Sequence, residues 1–156
     1  MPESTLAFAP TANSYRRLRP HTYAPTAATW GFNNRTVAVR VPPGPTSSRR
    51  IEHRVAGAEA NPYLVLAVVL AGIHHGLTLG LDPGEPATDE AYAATGGVGR
   101  LPLSWGEAIA AWRCGEVLRT YLGDRFCDLY ADCREAERER FRARITPTEY
   151  AWYLGI

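Results

Sequence analysis

The sequence predicts an α+β fold, with strands in the first third and helices after them. Three observations carry this reading. Residues 36–41 alternate cleanly, with Val37, Val39 and Val41 on one face and Thr36, Ala38 and Arg40 on the other. Asn61-Pro62 has the form of a helix start, a capping side chain followed by proline at the first helical position, and a long apolar run follows it. Ser104-Trp105-Gly106-Glu107 and Thr146-Pro147-Thr148-Glu149 both have the spacing of a capping box. A chain of 156 residues with 46% hydrophobic and 21% charged residues has the length and composition of one globular domain.

Residues 1–25 carry Pro2, Pro10, Pro20 and Pro25 without a period and read as an irregular N-terminal segment. The remainder, 26–156, divides into strands within about 26–55 and helices at about 61–80, 104–122, 124–142 and 147–154. Strand candidates are 26–31, 36–41 and 50–55, with Asn33-Asn34 as turn chemistry between the first two. Pro42-Pro43-Gly44-Pro45 forces a loop before the third. The helix after Asn61 is apolar nearly all round, which suits the interior of a larger body. Its apolar run at 63–73 ends at His74-His75 and is shorter than the ~20 residues a bilayer requires. A loop rich in Gly, Pro and Ala spans about 82–102. Gly123 is placed to close the 104–122 helix, Asp124 to cap the next, and the 134–144 stretch reads as a solvated face of spaced ion pairs.

The formal net charge is +1, so nothing global points to nucleic acid or a membrane surface. All 17 basic residues are arginine. Cys114, Cys127 and Cys133 have no metal-ligand spacing and read as reduced, mostly buried thiols. The N-terminus lacks the basic-then-apolar design of a signal peptide, and the expected location is cytoplasmic. His53 and the pair His74-His75 read as core or helix-end residues rather than metal ligands.

The chemistry is concentrated in Arg50-Ile51-Glu52-His53-Arg54. Strand alternation puts Arg50, Glu52 and Arg54 on one face and Ile51, His53 and Val55 on the other. Two readings are open. One is a charged edge strand that blocks aggregation. The other is an anion site in which arginine forks hold carboxylate or phosphate oxygens and Glu52 holds a divalent cation. Arg17, Arg35 and Arg40 would complete such a site, and phosphoryl transfer needs positive charge of this kind.

Four motifs carry a family resemblance. They are Asn13-Ser14-Tyr15-Arg16-Arg17-Leu18, the run from Asn34 to Pro42 that includes Arg35 and Arg40, Arg50-Ile51-Glu52-His53-Arg54, and Ala60-Asn61-Pro62-Tyr63-Leu64. In order and spacing they resemble the last third of the glutamine synthetase catalytic domain, over about 13–154. The resemblance implies a partial catalytic domain, a short antiparallel sheet followed by a helical bundle, with the substrate flap inside residues 1–25. It implies an ATP-dependent ligase that activates glutamate to γ-glutamyl phosphate, using Mg2+ or Mn2+. Arg17, Arg35 and Arg54 then correspond to glutamate-binding arginines, Arg35, Arg40 and Arg50 to ATP contacts, Arg35 also to a catalytic contact on the glutamyl phosphate, and Glu52 to a metal ligand.

Two departures from that pattern matter. Where ammonia-using members carry a flap glutamate, the aligned position is Tyr23, and this, with Tyr15-Arg16-Arg17-Leu18 and Trp30-Gly31, resembles the branch that joins glutamate to polyamines. The alternative reading of Tyr23 is a packing residue in a drifted sequence. The domain that precedes this region in the family, and most of its metal-ligand carboxylates, have no counterpart here. The expectation is therefore no catalysis by this chain alone. The alternative is an interaction protein that forms a homo-oligomer or joins a full-length homologue.

Overall fold

A computed structural model describes residues 2–92 and 99–155. Residues 93–98 of the expected 82–102 loop lie outside the described residues. The fold is α+β: α1 (Thr5–Phe8), α2 (Ser14–Arg17), β1 (Trp30–Phe32), β2 (Val39–Val41), β3 (Glu52–His53), α3 (Pro62–Leu79), α4 (Trp105–Cys114), α5 (Val117–Leu122), α6 (Asp124–Arg142) and α7 (Pro147–Tyr153).

The sheet has the order β1-β2-β3. It is mixed rather than antiparallel. β3 runs antiparallel to β2, with Arg40 opposite Glu52, but β1 is parallel to β2, with Gly31 opposite Arg40. The Asn33-Asn34 turn does not make a hairpin. Asn33 takes a left-handed φ of 48°, and the Asn34 side chain accepts the Thr36 N–H while donating to the carbonyls of Ala87 and Asp89. These bonds carry the chain sideways, and Ala38 and Val39 N–H then reach Thr29 at the start of β1. Gly31 is required where the 84–92 loop crosses the sheet, because a Cβ there would lie 2.7 Å from the Ala87 carbonyl oxygen.

The first 25 residues are not an irregular appendage. Leu6, Ala7, Phe8 and Ala9 are almost fully buried and hold the two halves of the molecule together. The Phe8 ring lies 4.1 Å from that of His53, Gly57 N–H donates to the Phe8 carbonyl, and the Tyr15 hydroxyl donates to the Ala9 carbonyl at 2.6 Å. Four buried positions are too few for a period, so burial here has no sequence signature. On the helical side, Trp105, Ile109, Trp112, Leu118, Cys127 and Ala131 complete the core. The Trp112 indole N–H donates to the Cys127 carbonyl at 2.9 Å.

The 104–122 helix is broken in two. Gly115 is extended, and a Cβ on it would collide with the Glu3 side chain, so the chain bends where the N-terminal segment packs. Gly123, at φ 82°, precedes α6. Asp124 does not cap α6; its carboxylate pairs with Arg119 at 3.1 Å. Thr146 and Glu149 form a complete capping box. Along 134–144, Arg134–Glu137, Arg138–Glu135 and Arg142–Glu139 pair at i,i+3 spacing.

Asn61 caps α3 through bonds from Tyr63 and Leu64 N–H, and left-handed Gly80 closes it. The helix does not sit in an interior: Val68 and Ala71 are its buried residues, while Tyr63, Leu66, Leu70, Ile73 and Leu77 are exposed. His74 is likewise exposed, with Nδ1 2.8 Å from the Tyr121 hydroxyl. At 18 residues and a mean hydropathy of 1.6, α3 is also long and apolar enough to cross a membrane by length and composition, contrary to the reading of the 63–73 run. The two histidines do not end it, because Leu77, Thr78 and Leu79 continue it. A core helix passes the same test. Beside it, Phe8, Val39, Ile51, His53, Val68 and Leu118 line an apolar cavity of about 320 Å³. Of the thiols, Cys127 is buried, and Cys114 and Cys133 are exposed instead of buried.

Trp112→Ala removes a side chain that is 2% exposed, together with its hydrogen bond. The expected loss is about 3–5 kcal/mol, read as a lowered urea midpoint.

Candidate active site

The strand pair β2–β3 sets the site. Because Arg40 and Glu52 are direct cross-strand partners, their side chains share one face, and Arg40 Nη1 meets Glu52 Oε2 at 2.8 Å. Arg40 Nη2 donates to Asn33 Oδ1 at 2.6 Å, and its buried Nε has no partner among the described residues. Arg50 approaches the other Glu52 oxygen at 3.7 Å. The Arg40 hydrogen bond holds the Glu52 carboxyl below the usual carboxylate range, with help from the charges of Arg40, Arg50 and Arg54 and against partial desolvation.

A second cluster adjoins the first. Arg54 donates from Nε to the Arg35 carbonyl at 3.1 Å and from Nη2 to the Tyr23 carbonyl at 3.0 Å. Arg17, on the last turn of α2, donates to the carbonyls of Val55 and Arg54. Burial lowers the Arg17 pKa, the nearby Glu59 carboxylate opposes that, and Arg54 adds to it. Glu59 accepts the Ser14 hydroxyl and stays below the usual carboxylate range mainly for that reason. Tyr23 is 64% exposed with φ 56°, so it is not a packing residue in this chain.

The seven residues singled out from sequence therefore lie in one connected region, with Arg35 joined through its backbone and Arg50 at the exposed margin. β3 does lie at the edge of the sheet, as the charged-edge reading requires. That reading does not explain why Arg54 acts on Glu52 or why Arg17 donates to the carbonyls of Arg54 and Val55. A surface holding several guanidiniums around one carboxylate can bind an anion with many oxygens, such as a phosphate or a dicarboxylate.

On the opposite face, Val55 is fully buried and the His53 ring packs on Phe8, with Nε2 lacking a partner among the described residues. Burial holds the His53 pKa below its ordinary value. Ile51, expected on that inner face, is 56% exposed at the mouth of the apolar cavity. Sequence reasoning missed Asn33, Glu59 and Tyr92. Asn33 was legible only as turn chemistry, and nothing in the local pattern of Glu59 or Tyr92 connects them to residues 45 and 69 positions earlier.

A divalent cation takes several oxygen ligands. No group of three or more His, Cys, Asp or Glu residues could hold a metal among the described residues. Glu52 is one carboxylate, already paired with two arginines. The metal implied by the resemblance does not fit this chain by itself.

The sequence pattern described as "Glutamine synthetase, catalytic domain" matches residues 1–153. The chain belongs to the glutamine synthetase family. It is 45% identical over 154 residues to the gamma-glutamylputrescine synthetase of Escherichia coli, covering 99% of this chain and 32% of that protein. A gamma-glutamylethanolamide synthetase of Streptomyces coelicolor is 36% identical, over 94% of this chain and 31% of its own length. The glutamine synthetase of Mycolicibacterium smegmatis is 37% identical, over 92% and 34%. A solved structure of GmaS without ligand superimposes with a TM-score of 0.81 at 32% identity, covering 99% of this chain and 35% of that one. The chain thus spans about a third of the length of these relatives.

The Glu52 pairing has a testable pH signature. The folded carboxyl titrates below its unfolded value, so the pair stabilises the fold above the ordinary carboxylate range and ceases to do so as pH falls through the lower, folded value. Carboxyl-carbon NMR of Glu52 is expected to show that low midpoint, and Arg40→Gln to move it up toward the ordinary range.

Proposed function

We propose that this chain supplies the arginine-rich wall of a glutamate–amine ligase site and does not catalyse alone. The carrying observation is the cluster in which Arg40 and Arg50 flank Glu52 beside Arg54 and Arg17, in a member of this family. Ligases of this family use ATP and a divalent metal. In the proposed reaction the γ-carboxylate of glutamate takes the terminal phosphoryl group of ATP, releasing ADP. The amine nitrogen then attacks the γ-carbonyl carbon, phosphate leaves, and the nitrogen gives up a proton.

Within that scheme Arg17 and Arg54 hold the glutamate carboxylates, and Arg40 and Arg50 face the ATP phosphates. Arg35 lies between, contacting both ATP and the acyl phosphate. Positive charge fixed in advance around a transferring phosphoryl group favours the transition state most, because negative charge is redistributed there. Glu52 contributes one oxygen ligand at most, and no step is assigned through a metal. The remaining acidic ligands must come from protein outside this chain.

An organic amine is favoured over ammonia for two reasons. Two relatives carry names that specify putrescine and ethanolamide products. Tyr23 presents an exposed aromatic ring, which suits an alkylammonium better than it suits a bare ammonium ion. The need for a partner is supported by α3, whose apolar side chains Tyr63, Leu66, Leu70, Ile73 and Leu77 are exposed. That partner is a polypeptide with the remaining two thirds of the family fold, or a full-length homologue in a shared oligomer. ATP and glutamate as substrates favour a cytoplasmic location.

The purified chain, given ATP, magnesium, glutamate and putrescine, is expected to release no phosphate. Adding a polypeptide that carries the rest of the Escherichia coli gamma-glutamylputrescine synthetase is expected to give putrescine-dependent release. Turnover by the chain alone overturns the inactivity, and the absence of both co-elution and turnover with the added polypeptide overturns the shared site.

A further inference from the structure

The turn 21–23 is held in a conformation that its residues do not favour. His21 and Tyr23 both have left-handed φ, 63° and 56°, with no glycine to ease it. Such a backbone persists only where its surroundings impose it. Thr22 Oγ contributes from inside the turn, reaching the Arg17 carbonyl at 2.7 Å and the Arg19 carbonyl at 2.6 Å. Arg54 contributes from β3, donating to the Tyr23 carbonyl.

The third hold comes from Tyr92, 69 positions further along. Tyr23 N–H donates to the Tyr92 hydroxyl at 3.2 Å. The Tyr92 ring meets that of His21 edge-on, with centroids 5.5 Å apart. Tyr92 is itself anchored to the segments that precede β1 and β2. Its carbonyl accepts the Thr26 hydroxyl at 2.5 Å, and buried Ala91 donates its N–H to Thr36 Oγ at 2.9 Å. The phenol therefore links a fixed point on the loop after α3 to both left-handed residues of the turn.

We propose that Tyr92 is a positioning residue for the amine site: its hydroxyl and ring edge hold the 21–23 turn so that the Tyr23 side chain stays outward, where an organic ammonium would meet it. The proposal rests on the amine-site reading of Tyr23. It assigns no contact between Tyr92 and the reacting atoms. Loosening Tyr92 should therefore weaken amine binding and leave the ATP side, built on Arg40 and Arg50, unchanged, whereas Arg54, which donates to the Tyr23 carbonyl, ties the glutamate side to the turn.

Two arms test it. In the first, amide hydrogen exchange is measured on the full chain and on Tyr92→Phe, which removes the hydroxyl and keeps the ring, and on Tyr92→Leu, which removes both. Tyr23 N–H is expected to exchange about fivefold faster in Tyr92→Phe, the worth of one ordinary hydrogen bond, and faster again in Tyr92→Leu. Amides of α4 should be unaffected, which shows that the variants fold. Equal Tyr23 exchange in all three proteins overturns the proposal.

The second arm uses the chain assembled with the complementary polypeptide. Tyr92→Phe is expected to raise KM for putrescine by about fivefold on the same basis, with KM for ATP unchanged. A parallel rise in the putrescine and ATP constants, or none in the putrescine value while the wild-type assembly is active, overturns Tyr92 alone. A wild-type assembly that releases no phosphate overturns the amine-site reading beneath it, and the exchange arm then reports separately on the turn.

Discussion

Burial of Leu6 to Ala9 is the constraint on which the rest of the molecule depends. A three-stranded sheet of short strands cannot cover its own inner face, and neither can a layer of helices. The N-terminal segment fills the space between them. Phe8 covers His53 from β3, the Leu6 carbonyl meets the Tyr130 hydroxyl of α6, and Glu3 lies against Gly115 where α4 ends. Without that wedge, α2 would have no fixed position, and Arg17 would not reach the carbonyls of Arg54 and Val55. The same packing that closes the core therefore builds one end of the candidate site.

The site itself is unbalanced in charge and one-sided in shape. Glu52 is surrounded by Arg40 and Arg50, with Arg54 near enough to act on its titration, while Arg17 sits in a partly buried position with Glu59 as its counter-charge. Cations held this close repel one another unless an anion joins them. Many of their donors are already directed at fixed acceptors: Asn33 for Arg40, and the Arg35 and Tyr23 carbonyls for Arg54. This fixes the geometry before any ligand arrives, which is what electrostatic catalysis requires of a wall. The chain spans about a third of the length of the relatives it matches.

The exposed helix α3 lies beside an apolar cavity of about 320 Å³. A helix apolar around most of its circumference is stable in water only if something covers it. Here the chain covers Val68 and Ala71 and leaves most of the larger side chains to solvent.

The sequence by itself determined the α+β class, the helix starts at Asn61, Ser104 and Thr146, and the alternation of residues 36–41. These depend on local rules: capping side chains, a period of two, and motif order. It also determined the family, because four spaced motifs are specific together. Only the tertiary structure decided the parallel pairing of β1 with β2, the break at Gly115, the burial of 6–9 and the hold of Tyr92 on the 21–23 turn. Each of these joins residues far apart in the chain through packing or through a single hydrogen bond, and neither leaves a periodic trace for a local reading to find.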